Sequence, residues 1–310
     1  MKISIIDCNH GFFDPEIWVA KENNINLNIV DSSKDLLPQI YDSDAIVVQR
    51  FNVDGDFIDK LPLCKIVTRY GVGVDNINLE DMALRGVKVL NFPGFCTNEV
   101  ADHTVSMILF LYRKLDILFK LSSEITEKWG NNEYVYPIKS VSDFTIGIVG
   151  FGRIGQAVLK RLKSFNFNVL VYDPYISADI LLEYSVFTTD LYNLFERSDI
   201  VTLHTPLTNE TKGMINETLF CRMNSNSCII NTSRGSVVNS EHLLSALKNK
   251  KIRACCIDVF DPEPPLKEIF GVNNLYISNH CAFYSEKSLD LLKKSVILES
   301  KKLYESTRIG

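Results

Sequence analysis

Short runs rich in Val, Ile, Leu and Tyr alternate with longer helical stretches along this whole chain. Parallel strand pairs need a crossover, usually a helix, so this alternation implies βαβ units and parallel sheets, an α/β fold. Two sheets are expected. The first takes Lys2 to Ile6, Asn26 to Val30, Ala45 to Val48, Ile66 to Thr68 and Val87 to Leu90, with helices beginning near Pro15, Asp35, Asp56 and Leu79. The second takes Thr145 to Val149, Asn168 to Tyr172, Val186 to Thr188, Ile200 to Leu203, Ser227 to Asn231, Ile252 to Val259 and Leu275 to Ile277. Between them lie a long helix from about Asn98 to Leu121 and a polar, aromatic segment from Ser122 to Val141; a helix from about Ser285 to Tyr304 closes the chain. At 310 residues roughly two domains are expected. If the last helix returns to the first sheet, the division is 1–98 with 285–310, and 99–284, with a ligand-favouring cleft between the lobes.

Composition narrows the function classes. With 46% apolar and 23% charged residues the chain is ordinary globular material, neither disordered nor collagenous. Thirty-three Lys plus Arg against 38 Asp plus Glu give a net charge of −5 without a basic run, which argues against a nucleic-acid binder. Asp7 interrupts the first residues too early for a signal peptide, and the longest apolar stretch, Val105 to Tyr112, is too short to span a bilayer; a cytoplasmic protein without membrane attachment is expected. The eight cysteines form no C-x-x-C pair and read as free thiols in a reducing compartment. Adjacent Cys255 and Cys256 read as small buried hydrophobes, and no metal site is expected.

The sharpest local signal is the apolar run Thr145 to Val149 leading into Gly150-Phe151-Gly152-Arg153-Ile154-Gly155 and then a helix. In a dinucleotide-binding turn the first glycine permits the tight turn, the second lets backbone approach a pyrophosphate, and the third lets helix and strand pack closely. Amides near Arg153 and Ile154 at the helix start suit phosphate charge. The next strand ends at Asp173, 18 residues beyond Gly155, near the spacing of the acid that binds the adenine ribose. A carboxylate there repels a 2′-phosphate, so NAD is favoured over NADP. The other reading of Asp173 is a strand-end turn acid before Pro174.

Three further strand ends face the same edge: Asn231 to Gly235, Asp258 to Pro265, and Ser278 to Ser285. They offer a fixed cation in Arg234, a carboxylate in Glu263 and an imidazole in His280. Loss of hydride from C2 of a 2-hydroxy acid requires a base for the hydroxyl proton, and histidine titrates in the right range. Glu263 beside His280 would favour the imidazolium, Arg234 would hold the substrate carboxylate, and Asp258 would accept from the nicotinamide carboxamide. Singly, these residues also read as a surface arginine, a solvated loop acid and a satisfied strand-end histidine. His204, at another strand end, is expected to shape the cofactor pocket, whereas His10, His103 and His242 are expected to be structural or exposed. Arg69 to Asn76 reads either as an anion-binding nest or as an ordinary glycine turn, and Gln49-Arg50 ends a neighbouring strand.

Together, Arg69 to Asn76, Asn98 to His103, Gly150 to Gly155, Tyr172-Asp173-Pro174, His204 to Thr211, Asn231 to Gly235, Asp258 to Pro264 and His280 to Ser285 resemble the D-isomer-specific 2-hydroxyacid dehydrogenases over nearly the full length. The resemblance implies two Rossmann- or flavodoxin-like lobes, NAD as cofactor and a homodimer formed through the cofactor domain. It places the catalytic trio on Arg234, Glu263 and His280, and the substrate-carboxylate loop on Val72 and Gly73. Cofactor contacts would extend to His204, Thr205, Pro206, Thr211, Thr232, Ser233, Arg234, Asp258 and His280. Glu99 to His103, Trp129 and Ala282 to Ser285 look most like the branch containing the C-terminal-binding proteins, which implies an active-site aromatic at Phe283. Asn279 stands where the family usually has Pro, and Arg50 gives no clean match to the phosphate-reading arginine of phosphoglycerate dehydrogenases. The expected function is NAD-dependent interconversion of a D-2-hydroxy acid and its 2-oxo acid. The alternatives are an NAD-sensing recruitment scaffold, phosphoglycerate oxidation, and oxidation of formate or phosphite on the same fold.

Overall fold

The computed structural model describes residues 1–121, 129, 133 and 135–309, so much of the segment expected from Ser122 onward lies outside the described residues. The chain forms two compact units, Met1–Cys96 with Tyr284–Gly310, and Thr97–Phe283.

The first unit carries β1 (Lys2–Ile5), α1 (Asp14–Glu22), β2 (Asn26–Ile29), α2 (Leu36–Ile40), β3 (Ala45–Val48), α3 (Gly55–Ile58), β4 (Ile66–Arg69), α4 (Leu79–Leu84) and β5 (Lys88–Leu90). Its sheet is parallel throughout, in the order β2-β1-β3-β4-β5, the flavodoxin-like winding. Local sequence starts the helices: Asp54 accepts from the Phe57 amide and Asn78 from the Asp81 amide, each satisfying a donor that the helix leaves open. All four residues of β3 are 0% exposed, Ala45 and Val47 packing on one face and Ile46 and Val48 on the other. Each Val or Ile so buried contributes roughly 1.5–3 kcal/mol. The C-terminal helix, Glu286–Ile309, completes this unit. Buried hydroxyls of Thr68 and Ser300 meet at 2.6 Å, and the Tyr304 hydroxyl donates to Asp44 at 2.7 Å.

The second unit begins with α5 (Thr97–Tyr112) and α6 (Leu115–Lys120), followed by β6 (Thr145–Val149), α7 (Arg153–Leu162), β7 (Asn168–Tyr172), α8 (Ala178–Tyr184), β8 (Phe187–Thr188), α9 (Leu191–Arg197), β9 (Ile200–Leu203), α10 (Glu217–Phe220), β10 (Cys228–Asn231), α11 (Ser240–Lys248), β11 (Ala254–Ile257) and β12 (Leu275–Ile277). The order β12-β11-β10-β9-β6-β7-β8 runs outward in both directions from β6 and β9, so the topological switch point lies between those strands. Cys255 and Cys256 point to opposite faces of the sheet and both are buried. Burial pushes the Cys228 thiol up to about 11 and the Cys255 thiol well above the usual range, so these sulfurs behave as small hydrophobes.

Two expectations need correction. The run Ile252 to Val259 is a strand only over Ala254–Ile257, because its neighbour β10 ends at Asn231 and the chain beyond Ile257 joins the loops at the sheet edge. The single helix expected from Asn98 to Leu121 is two helices, with Lys114 at φ +53° between them. The bend brings Asp116 of α6, its side chain 1% exposed, within 2.6 Å of Arg253. That guanidinium also donates to the Leu111 carbonyl at the end of α5, satisfying an acceptor the helix terminus leaves open.

Candidate active site

At the switch point β6 is followed by Gly150, whose φ is +88°; a Cβ there would lie 2.8 Å from the His204 carbonyl and 2.9 Å from the Thr205 amide nitrogen. Only glycine fits that conformation in that space. A Cβ on Gly155 would lie 2.3 Å from the Gly150 oxygen, so α7 packs on the turn as closely as backbone allows. Gly152, by contrast, faces open space and starts α7 without a side-chain cap, leaving first-turn amides available to an anion. Asp173 is held at the end of β7 by the Phe151 amide at 2.7 Å and the Tyr175 amide at 2.8 Å, one to each oxygen, and both oxygens retain a lone pair. Across the turn, His204 Nδ1 and Thr205 Oγ1 are buried without a protein partner among the described residues. Burial lowers His204 to about 3, so its ring, with Nε2 3.0 Å from Thr202 Oγ1, is neutral. Thr211 ties the following loop together, donating to the Pro206 carbonyl at 2.6 Å and accepting from the Thr208 amide.

The ends of β10, β11 and β12 carry the charged groups. Asn231, 1% exposed, accepts from the amide and hydroxyl of Ser233 and donates to the Arg234 carbonyl, which fixes the Arg234 backbone. The Arg234 Nη1 donates to the Ser233 carbonyl at 2.8 Å. A Cβ on Gly235 would lie 2.1 Å from the Phe260 carbonyl, so the loops after β10 and β11 touch through backbone. His280 adopts φ +49° and its amide donates to the Asp258 carbonyl at 2.9 Å. Its Nδ1 lies 2.9 and 3.0 Å from the two Glu263 oxygens. An acceptor-only carboxylate places the hydrogen on Nδ1 and leaves Nε2 as the other working nitrogen. The Phe283 ring stands edge-on to His280 at 6.4 Å.

A family model described as D-isomer specific 2-hydroxyacid dehydrogenase, NAD binding domain, matches residues 105–282. The chain is 37% identical over 257 residues to the glyoxylate reductase of Thermofilum pendens, covering 81% of this chain and 75% of that protein. The chain belongs to the D-isomer specific 2-hydroxyacid dehydrogenase family. It is also 36% identical to the D-3-phosphoglycerate dehydrogenase of Methanocaldococcus jannaschii, over 76% of this chain but only 44% of that protein. The structure of D-lactate dehydrogenase from Aquifex aeolicus, complexed with NAD and lactic acid, superposes with a TM-score of 0.86 at 26% identity, covering 99% of this chain and 96% of that one.

The second unit of this dehydrogenase family member thus contains an NAD-binding domain. Its residues fit the cofactor: the open cradle at Gly152, the uncapped α7 and the unpartnered buried atoms of His204 and Thr205 all adjoin one turn. Arg234, Glu263, Asp258 and His280 lie on three adjacent strand ends of that same unit. Two hydroxyls named from the sequence have protein partners: Thr232 Oγ1 meets Thr104 Oγ1 at 2.9 Å, and Ser233 donates to Asn231. The Asp258 carboxylate, 4% exposed, accepts from Ser278 Oγ at 2.6 Å and from the Cys281 and Ala282 amides at 2.9 and 3.0 Å. One lone pair on Oδ2 therefore remains for a ligand. Val72 and Gly73 belong to the first unit, where the Val72 carbonyl accepts from Asn91. Arg50 is exposed at the end of β3, and Asp7 accepts from its amide. His103, expected to be structural or exposed, is half-buried with Nε2 2.9 Å from Ser278 Oγ, a contact of which the sequence carried no sign. Proximity to His280 in sequence was a signal for Ser278; nothing local marked His103, 175 residues away. No group of three or more His, Cys, Asp or Glu able to hold a metal ion occurs among the described residues, and no described helix is long and apolar enough to cross a membrane.

Proposed function

We propose that this protein is an NAD-dependent dehydrogenase that interconverts a D-2-hydroxy acid and its 2-oxo acid. His280 serves as acid–base group, Glu263 as its orienting carboxylate and Arg234 as the substrate anchor. The observation that carries the reading is the approach of both Glu263 oxygens to His280 Nδ1, at 2.9 and 3.0 Å, in the unit that also holds the glycine turn. With Nδ1–H engaged, Nε2 takes the C2 hydroxyl proton in oxidation and returns a proton to the oxo oxygen in reduction. Bound NAD supplies the hydride acceptor. The Arg234 guanidinium grips the substrate carboxylate through its forked donors and polarises the C2 oxygen. Val72, Gly73 and Phe283 are carried over from the family as substrate contacts. Gly150, Gly152, Arg153, Ile154 and Gly155 would hold the pyrophosphate and Asp173 the adenine ribose. His204, Thr205, Pro206, Thr211, Thr232, Ser233 and Asp258 would line the remainder of the cofactor site.

Likeness to glyoxylate reductases supports a small unphosphorylated oxo acid, and the exposed Arg50 is the residue through which a phosphorylated one would bind. NADH oxidation with glyoxylate, pyruvate, phenylpyruvate, hydroxypyruvate and 3-phosphohydroxypyruvate separates these. His280→Ala is expected to leave NADH binding nearly intact and to slow turnover at least about a hundredfold; full activity in that variant overturns the assignment. Tight NADH binding without turnover of any oxo acid would favour the recruiting scaffold instead. Family likeness also supports a homodimer, read by sedimentation velocity, and the eight free thiols support a reducing, cytoplasmic setting.

A further inference from the structure

His280 sits in a left-handed backbone conformation that side chains with a Cβ resist, so something must hold it there. The residues on either side of it are bound to a single buried carboxylate: Ser278 Oγ and the amides of Cys281 and Ala282 all donate to Asp258. A hydroxyl has one proton, and Ser278 gives it to a group that only accepts. The contact between Ser278 Oγ and His103 Nε2 at 2.9 Å therefore runs the other way, from His103 Nε2–H to the serine. This fixes the His103 tautomer and makes its N–H the start of a directed chain, His103 to Ser278 to Asp258. The next residue of α5, Thr104, gives its proton to the Val100 carbonyl and so accepts from Thr232, on the loop that carries Arg234. Two consecutive residues of one helix thus bind the loops of both charged groups.

We propose that His103 is a positioning residue for His280, acting through Ser278 and Asp258. Its N–H orients the serine proton toward Asp258, and Asp258 in turn clamps the peptides around His280 so that Nδ1 meets Glu263 and Nε2 faces the reacting oxygen. Without the donor, the Ser278 oxygen loses one of its two hydrogen bonds, its hold on Asp258 is less well oriented, the clamp loosens and residue 280 relaxes. The inference rests on His280 as the acid–base group.

The test compares His103→Leu, which keeps volume but has no donor, His103→Gln, whose amide nitrogen reaches the Nε2 position, and Ser278→Ala. His103→Leu is expected to lower kcat about tenfold, leave NADH affinity within about twofold, and speed amide hydrogen exchange at Cys281 and Ala282 about tenfold. His103→Gln should recover both kcat and exchange to within about threefold. The double variant His103→Leu/Ser278→Ala should be no slower than Ser278→Ala alone, since both cut one chain. Wild-type kcat and exchange in His103→Leu, a glutamine variant no better than leucine, or additive losses in the double variant overturn the proposal. If His103→Leu does not fold, the exchange rates and kcat of Ser278→Ala decide. Retained activity in His280→Ala would remove the acid–base reading itself, while the exchange data would still judge the His103 chain.

Discussion

His204 gives the most quantitative prediction. Its Nδ1 is buried beside the glycine turn without a protein partner among the described residues, and burial lowers it from 6.5 to about 3. The unfolded chain takes up a proton on this residue near pH 6.5, whereas the folded protein does so only near 3. Its contribution to stability is therefore complete above 6.5 and declines as pH falls toward 3. Each pH unit in that window is worth about 1.4 kcal/mol, so the full effect is bounded at about 5 kcal/mol, and at pH 5 about 2 kcal/mol has gone. His204→Gln removes the titration while keeping a polar group toward Thr202. Urea unfolding of both proteins, followed by far-UV circular dichroism at pH 7 and pH 5, should show the stability difference between them changing by about 2 kcal/mol against the wild type at pH 5. In parallel, the His204 Cε1 proton resonance should not move between pH 8 and pH 5. A resonance that titrates near 6.5, or a stability difference that ignores pH, refutes the assignment of a buried neutral imidazole.

Asp116→Ala should cost about 3–5 kcal/mol, because it leaves the Arg253 guanidinium, 14% exposed, without its carboxylate. Thermal unfolding reads this as a fall of roughly 10 °C or more, and a melting point unchanged within about 2 °C would show that water replaces the pair. Asp173→Ala should improve the kcat/KM ratio of NADPH to NADH by about tenfold or more, since it removes a charge that opposes the 2′-phosphate. An unchanged ratio would mean that discrimination arises elsewhere.

Much of the architecture was legible because it rests on local periodicity. Strands β3, β6, β7, β9 and β12 lie where the β-branched runs predicted them, and the glycine spacing announced a turn whose packing really does exclude a side chain at Gly150 and Gly155. Family resemblance named Arg234, Glu263 and His280, of which Glu263 and His280 meet at 2.9 Å. The break at Lys114 was not legible. No glycine or proline marks it, and the partner that Asp116 meets beyond the bend, Arg253, is 137 residues away.

The sequence alone determined which segments alternate, where backbone must turn tightly and which side chains bring usable chemistry, since these follow from short-range sterics and residue type. Tertiary structure alone decided which polar atoms meet. His103 and Ser278 are unremarkable until β12 is laid beside β11 and α5 is packed across the sheet, and the left-handed backbone at His280 lies between residues that both bond to Asp258. A directed hydrogen bond needs a partner within about 3 Å, and only the folded chain fixes distances between residues so far apart in sequence.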